Sequence, residues 1–207
     1  MNKPISPPLA PEILPAALWG TAAWLRASGI VLAGSVFAAV CAHVAVPLSF
    51  TPVPLTLQPF AVLLLGLLLT PRLAGATFAA YLLEGAAGLP VFAPNAAAPV
   101  SGVAHIFGPT GGYLLAYPLA AMLISFLWRR TGRGFASALL SAAAGDAVIL
   151  ACGALWLAVL PNLPAGSAAA LAVAPFLPGD ALKIAAAAAL ATGFYRLPRS
   201  TRSPHPM

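Results

Sequence analysis

Apolar residues fill this chain in long stretches that Pro, Gly and charged residues interrupt. A helix that crosses a membrane needs about 20 mostly apolar residues. Six stretches approach or reach that length, and they lie near residues 28–47, 57–70, 73–88, 111–128, 135–160 and 175–196. The second and third are short, so we expect one or both to be tilted, broken or covered by neighbouring helices. The pattern predicts an all-α integral membrane protein with six transmembrane helices.

Positive charges fall on one side of this predicted membrane domain. Outside the predicted helices, Lys and Arg occur in four places: before the first helix, between the second and third helices, between the fourth and fifth helices, and after the sixth helix. These residues are Lys3, Arg26, Arg72, Arg129, Arg130, Arg133, Arg196, Arg199 and Arg202. The connections 48–56, 89–110 and 161–174 contain neither Lys nor Arg. The positive-inside rule therefore places both termini in the cytoplasm of a multi-pass protein in the cytoplasmic (inner) membrane.

Three parts of the chain follow from this arrangement. Residues 1–26 form a Pro-rich cytoplasmic tail without the basic region and compact apolar run of a signal peptide. We expect a short interfacial helix within this tail, near residues 19–25. Residues 27–197 form the six-helix membrane domain, and residues 198–207 form a second cytoplasmic tail.

Composition agrees with a lipid environment and excludes other classes of protein. Hydrophobic residues make up 61% of the chain and charged residues 7%, and the mean hydropathy is +0.95. A soluble domain has about 25% charged residues, because water must wet its surface. The net charge of +6 does not indicate nucleic acid, since the basic residues form no stripe with interleaved aromatic residues.

The predicted outer connections are unusually apolar for loops in water. Residues 49–59 and 88–112 are rich in Pro, Gly and small residues. Irregular backbone at membrane depth must be buried or must line a cavity, so these segments are interpreted as a cap folded over a pocket. Short interfacial turns are the alternative.

Asp180 and Lys183 are two charges placed three residues apart at the start of the sixth apolar stretch. At this spacing they share a helix face and can pair with each other. Asp180 suits the first turn of a helix that follows Pro178 and Gly179. Lys183 does not, because a cation in the first turn opposes the helix dipole. Lys183 therefore needs an anionic partner, which is Asp180, a lipid headgroup or the carboxylate of a ligand.

Other polar residues lie in or beside the apolar stretches. Glu84 could accept hydrogen bonds from a substrate or be wetted at the membrane interface. Asp146 is protonated, hydrogen-bonded to another helix or part of a proton relay. Gln58 and Asn95 could line a pocket or hold a turn through hydrogen bonds to the backbone.

Small residues recur every four positions in the first stretch, at Gly34, Ala38 and Ala42. This spacing allows another helix to approach closely. The stripe is predicted to dock a partner subunit, with an internal packing face as the alternative.

Five segments, in this order, resemble the BioY family, the membrane-embedded biotin-binding components of energy-coupling-factor (ECF) vitamin transporters. These segments are VPLTLQPFAVLLLG (53–66), YLLEGAAGLPVFA (81–93), GPTGGYLLAYPLAA (108–121), GALWL (153–157) and PFLPGDALKI (175–184). The resemblance covers residues 50–190, nearly the whole predicted membrane domain. It implies a six-helix bundle with cytoplasmic termini and an outward-facing pocket.

The resemblance also implies a ligand and partners. Asp180, Lys183 and Asn95 would contact biotin, and Ala38 and Ala42 would dock the shared transmembrane subunit. The biotin carboxylate suits Lys183, and its cyclic urea suits Asp180, Asn95 or Gln58. Its rings and alkyl tail would pack against Phe92 and Tyr113. No nucleotide-binding G-x-x-x-x-G-K-[ST] motif is present, so two partner ATPase subunits would use ATP while this chain carries no cofactor.

The sequence thus predicts a biotin-binding membrane component that is not an enzyme. A proton- or ion-coupled secondary carrier that uses Asp146 and Glu84 is the stronger alternative. A hydrolase built from Ser101 and His105, or from His43, is weaker because no G-x-S-x-G motif is present. Self-association in place of an ECF module stays open.

Overall fold

Helices occupy all six of the apolar stretches. The structure, a computed structural model, describes residues 16–94, 101–159 and 170–196. Within these ranges the helices are α1 (Ala16–His43), α2 (Gln58–Leu68), α3 (Pro71–Ala86), α4 (Val103–Ile106), α5 (Gly111–Arg130), α6 (Phe135–Val159) and α7 (Leu177–Arg196). A short antiparallel hairpin joins α1 to α2, and its strands are β1 (Ala45–Val46) and β2 (Leu55–Thr56).

The helices differ in whether they are long enough to cross a membrane. Four are long and apolar enough, and they comprise Gly20–His43, Gly111–Arg130, Phe135–Val159 and Ala170–Arg196. At 1.5 Å per residue, α2 with 11 residues and α3 with 16 residues are shorter than the roughly 30 Å hydrocarbon core. The mostly helical membrane fold is confirmed, whereas six crossings and the orientation of the termini stay predictions.

Local signals explain where several helices begin. Thr70 caps α3, because its hydroxyl accepts a hydrogen bond from the Leu73 N–H, and Pro71 follows as the first helical residue. Helix α1 begins at Ala16 and continues through residues 19–25, so the short helix predicted there is part of one long helix. Trp24 and Leu25 on this part of α1 are largely exposed.

The bundle has two chemically different ends. Helices α2, α5 and α7 all begin at the end that carries the hairpin. The same helices run toward the other end, where Arg72, Arg129, Arg130 and Arg196 lie at or just beyond helix termini. The basic residues are therefore separated from the hairpin by the length of the helices.

The core consists of two clusters of buried apolar residues. One joins α1, α3, α5 and α6 around Phe78, Tyr81 and Tyr117. The other joins α2, α5, α6 and α7 around Leu67 and Trp128. Helix α5 takes part in both and packs most extensively against α6. In a membrane such contacts are stabilised mainly by close van der Waals packing.

The small residues of α1 face this core. Ala38 and Ala42 are fully buried, and Gly34 lies directly against the Thr77 side chain of α3. A Cβ on Gly34 would approach the Thr77 methyl group to 2.7 Å, so the close contact between α1 and α3 requires glycine there. The prediction that Gly34, Ala38 and Ala42 form a docking face is therefore wrong for this structure, because internal packing already covers them.

Candidate ligand-binding site

A cavity lies at the end of the bundle where α2, α5 and α7 begin. The empty space inside it, together with the space open to solvent at its mouth, is about 530 Å³. Its walls come from the hairpin, the segment before α5, and helices α2, α5, α6 and α7. The lining residues are Val53, Pro54, Thr56, Gln58, Pro59, Ala93, His105, Thr110, Tyr113, Leu114, Tyr117, Asp146, Ile149, Leu150, Phe176, Asp180 and Lys183.

Two of the three predicted outer connections contribute to these walls. Val53 and Pro54 come from the connection between α1 and α2, and Ala93 and His105 come from the one between α3 and α5. Thr51, in the first of these connections, donates a hydrogen bond of 3.2 Å to the carbonyl of Leu171. Two connections thus line the cavity, and the first of them is hydrogen-bonded to the third, as expected for a cap.

Asp180 and Lys183 form a buried ion pair in this cavity. Lys183 Nζ donates to Asp180 Oδ1 at 2.9 Å, and the two residues are 9% and 3% exposed. Asp180 is the fourth residue of α7, so it lies inside the first turn and not at the capping position. An acid in the first turn is favoured by the helix dipole. Lys183 is held there by that acid, and both side chains line the cavity.

Gln58 is the first residue of α2, and its side chain belongs to a chain of hydrogen bonds behind the cavity wall. Gln58 Nε2 donates to the Tyr81 hydroxyl at 2.6 Å, and that hydroxyl donates to the Val91 carbonyl at 2.8 Å. The Thr56 hydroxyl accepts from the Gln58 backbone N–H at 3.3 Å. These bonds hold the amide of Gln58, which is buried and lines the cavity.

Tyr113 forms part of the wall near the mouth. Its hydroxyl donates to the Ala172 carbonyl at 2.7 Å, and its ring meets Phe176 edge to face with centroids 6.2 Å apart. Helix α6 has Gly153 directly beneath the ring, where a Cβ would overlap it. The tyrosine therefore ties the segment before α7 to α5 and α6.

Phe92 lies behind the wall and does not line the cavity. Its ring stacks on the His105 ring with centroids 4.8 Å apart and meets Tyr81 edge to face at 5.5 Å. It rests on Gly85 of α3, where any Cβ would collide with the ring. Phe92 supports His105, which does line the cavity and whose Nε2 is 3.4 Å from the Thr110 hydroxyl.

The GPTGGY segment places the start of α5 close to α6. A Cβ on Gly111 would collide with the Ile106 carbonyl, and one on Gly112 with Trp156 and the Cys152 carbonyl. Trp156 Nε1 donates to the Gly108 carbonyl at 2.9 Å. The glycines therefore serve close helix packing, which brings Thr110 and Tyr113 to the cavity.

Glu84 and Asn95 differ from the other predicted site residues. The structure places Glu84 outside the cavity, where its carboxylate accepts a hydrogen bond of 2.8 Å from the Ser35 hydroxyl of α1. Asn95 lies outside the described residues. The cavity thus brings together Gln58, Tyr113 and the Asp180–Lys183 pair.

Asp146 is a cavity residue whose role the sequence leaves open. It lies within α6, is 4% exposed and lines the cavity with the ion pair. Thr56, His105, Thr110 and Tyr117 also line it, and sequence reasoning did not single them out as binding residues. Thr110 and Tyr117 lie inside the segment 108–121, which resembles the BioY family. That resemblance is the sequence signal that could identify them as binding residues. In the described ranges, no group of three or more His, Cys, Asp or Glu residues is arranged to hold a metal ion.

Comparison with known proteins gives a consistent result. The family model "BioY family" matches residues 16–200. The "Probable biotin transporter BioY" of Pyrococcus horikoshii is 40% identical over 146 residues, which are 70% of this chain and 83% of that protein. The "Biotin transporter BioY" of Thermotoga maritima is 35% identical over 156 residues, 75% of this chain and 88% of that protein.

A solved structure has the same fold. It is the S-component for biotin from an ECF-type ABC transporter, with a TM-score of 0.74, 24% identity, and coverage of 83% of this chain and 91% of that one. Both relatives are named transporters, and this chain is a multi-pass protein of the cell membrane.

Proposed function

The chain belongs to the BioY family, and from this premise we propose that it binds biotin and mediates its uptake as the substrate-specific component of an ECF-type transporter. The observation that carries the proposal is the buried Asp180–Lys183 pair in a cavity with otherwise mostly apolar walls. A buried ion pair that faces empty space can exchange part of its interaction for contacts with a polar solute.

The chemistry of the cavity suits the chemistry of biotin. Biotin combines a carboxylate with a cyclic urea that has two N–H donors and one carbonyl acceptor. Lys183 offers a cation for the carboxylate, while Asp180 and Gln58 offer an acceptor and an amide for the urea. Tyr113, Phe176 and the aliphatic residues of α6 provide apolar surface for the fused rings and the alkyl chain.

Asn95 remains a proposed contact on the strength of the family resemblance. Glu84 is not part of the proposed site, because its carboxylate bonds to Ser35 away from the cavity.

We assign the energy for uptake to partner subunits. The sequence has no G-x-x-x-x-G-K-[ST] loop, and the structural neighbour is a component of an ABC transporter. A linking transmembrane subunit and two ATPase subunits would therefore complete the transporter. The basic end of the bundle would face the cytoplasm and the cavity the outside. A proton- or ion-coupled carrier is not favoured, because the relatives are named biotin transporters.

Calorimetric titration of biotin into the detergent-purified protein tests the proposal. We expect saturable binding with one site, and a large loss of affinity in Asp180→Asn. Glu84→Gln is the matched control, because it makes the same acid-to-amide change outside the cavity, and its affinity should equal that of the native protein. An absence of binding by folded native protein would reject the proposal. Equal losses in both variants would reject this cavity as the binding site.

A further inference from the structure

Asp146 lines the cavity and has one buried carboxyl oxygen without a partner among the described residues. Its Oδ1 atom has no hydrogen-bond partner in the described parts of the chain, and the residue is 4% exposed. More than about 90% of buried polar groups in folded proteins have such a partner. An exception that lines a cavity is therefore a candidate for a group that a ligand satisfies.

The neighbouring charged groups do not supply the missing partner. Lys183 Nζ already donates to Asp180 Oδ1 at 2.9 Å. The cavity therefore contains two carboxyl groups and one ammonium group among its lining residues. Tyr113 donates its hydroxyl hydrogen to the Ala172 carbonyl. Gln58 Nε2 donates to the Tyr81 hydroxyl at 2.6 Å.

The position of Asp146 indicates where on a ligand it would act. Three α6 residues line the cavity, and Asp146 precedes Ile149 and Leu150 along a helix that runs toward the hairpin end. Asp146 is thus the lining residue of α6 farthest from that end, and it lies on the cavity floor. A carboxylate oxygen only accepts hydrogen bonds when ionised, so it selects a ligand group that carries N–H or O–H donors.

We propose that Asp146 is a specificity-determining contact whose carboxylate accepts a ring N–H of the ligand's cyclic urea at the floor of the cavity. This inference rests on the proposed biotin function and assigns a residue to it. The ring would enter first and occupy the floor, and the acyl chain would extend toward the mouth. Buried donors and acceptors that pair only with the correct ring would then reject ring analogues without N–H groups.

A ligand contact and a structural residue respond oppositely to substitution. An unpartnered buried acid destabilises the empty protein, so replacing it with an apolar side chain of similar volume should stabilise that protein. If Asp146 instead supports the fold, the same replacement should lower the thermal stability of the empty protein. Affinity for biotin should fall only in the first case.

The experiment measures biotin affinity by calorimetry and thermal unfolding without biotin for the native protein, Asp146→Asn and Asp146→Leu. We expect both variants to lose about tenfold or more in affinity, with unfolding temperatures equal to or above the native value. Ser141→Ala is the matched control, because Ser141 is equally buried on the same helix and does not line the cavity. Its affinity should be unchanged.

A second probe identifies the ligand group involved. In 2-iminobiotin a guanidinium group replaces the urea, so its ring N–H donors carry positive charge and interact more strongly with a carboxylate. Loss of the Asp146 charge in Asp146→Asn should therefore weaken 2-iminobiotin more than biotin. The assignment of Asp146 would be overturned if both variants bound biotin within twofold of the native protein. It would also be overturned if Asp146→Asn left the ratio of the biotin and 2-iminobiotin affinities unchanged. In either case, biotin binding by the native protein would still support the proposed function. No biotin binding by native protein would overturn both.

Discussion

Two contacts of this bundle each contain an acid, and they differ in what surrounds them. Asp180 accepts from Lys183 at 2.9 Å inside the cavity, and both residues are buried. Glu84 accepts from Ser35 at 2.8 Å between α3 and α1, and it does not line this cavity. Both acids lie near the ends of apolar helices, yet of the two only Asp180 lines the cavity.

The difference teaches that acids have two uses in this fold. The Ser35 hydroxyl satisfies one oxygen of the partly exposed Glu84 and joins two helices, a modest contribution of about 0.5–1.5 kcal/mol. The Asp180–Lys183 pair must meet the cost of desolvating two charges. Its location beside the cavity fits a site whose polar groups are arranged for a ligand.

The largest effect is expected from Lys183→Ala. This change removes the cation of the cavity and leaves Asp180 buried without its partner, which costs about 2–5 kcal/mol in comparable pairs. Biotin affinity should fall by between about one and three orders of magnitude, as measured by calorimetry. If Lys183→Ala bound biotin as tightly as the native protein, the Asp180–Lys183 pair would have no role in binding, and Asp180 would not differ from Glu84 in function.

A smaller effect on affinity is expected from Gly153→Ala. The added methyl group would overlap the Tyr113 ring, so the ring must move and its bond to Ala172 must weaken. Overpacking of this kind costs about 1–3 kcal/mol, and thermal unfolding should show it together with weaker binding. Gly193→Ala is the control, because a Cβ there meets nothing within 4 Å. It should leave biotin affinity unchanged and should not lower thermal stability, since alanine favours the helix more than glycine does.

Tyr81→Phe should have a still smaller effect. It removes the acceptor of the Gln58 amide and the donor to the Val91 carbonyl, each worth about 1 kcal/mol. Thermal stability should decrease and biotin affinity should fall by less than in Lys183→Ala. A loss of affinity as large as that of Lys183→Ala would show that the hydrogen-bonded support behind the wall matters as much as the ion pair.

The smallest effect is expected from Ser35→Ala, which tests the other side of the comparison. It removes the hydrogen bond to Glu84 and should lower stability by roughly 1 kcal/mol with unchanged biotin affinity. Thermal unfolding and calorimetry on the same sample separate the two quantities. Altered affinity with native stability would place Glu84 in the functional part of the molecule after all.

Much of this fold is readable from the sequence because breaks in apolar stretches are local signals. Pro, Gly and charges mark the ends of α2, α3, α5, α6 and α7 to within a few residues of their observed bounds. The Asp180–Lys183 pair is recognisable because charge is rare in an apolar chain and costly in a membrane.

The direction in which each helix faces was harder to predict. Apolar residues surround α1 and α6 almost uniformly, so no amphipathic pattern shows which side faces the protein. For this reason the sequence does not decide whether the stripe of Gly34, Ala38 and Ala42 faces a partner or the core, and in the structure it packs inward. The position of Asp146 in the same cavity as the ion pair depends on how α6 and α7 meet, which no single stretch of sequence encodes.

The common starting end of α2, α5 and α7 has an electrostatic consequence. The peptide dipoles of a helix sum to roughly half a positive charge at its first turn, and three such ends surround the cavity. Asp180 offsets the charge of Lys183, and the carboxyl group of Asp146 lies deeper in the cavity. The positive potential at these first turns therefore comes from the backbone itself. Attraction of an anionic solute toward the mouth is therefore a property of the architecture, and it should persist after any single side-chain substitution.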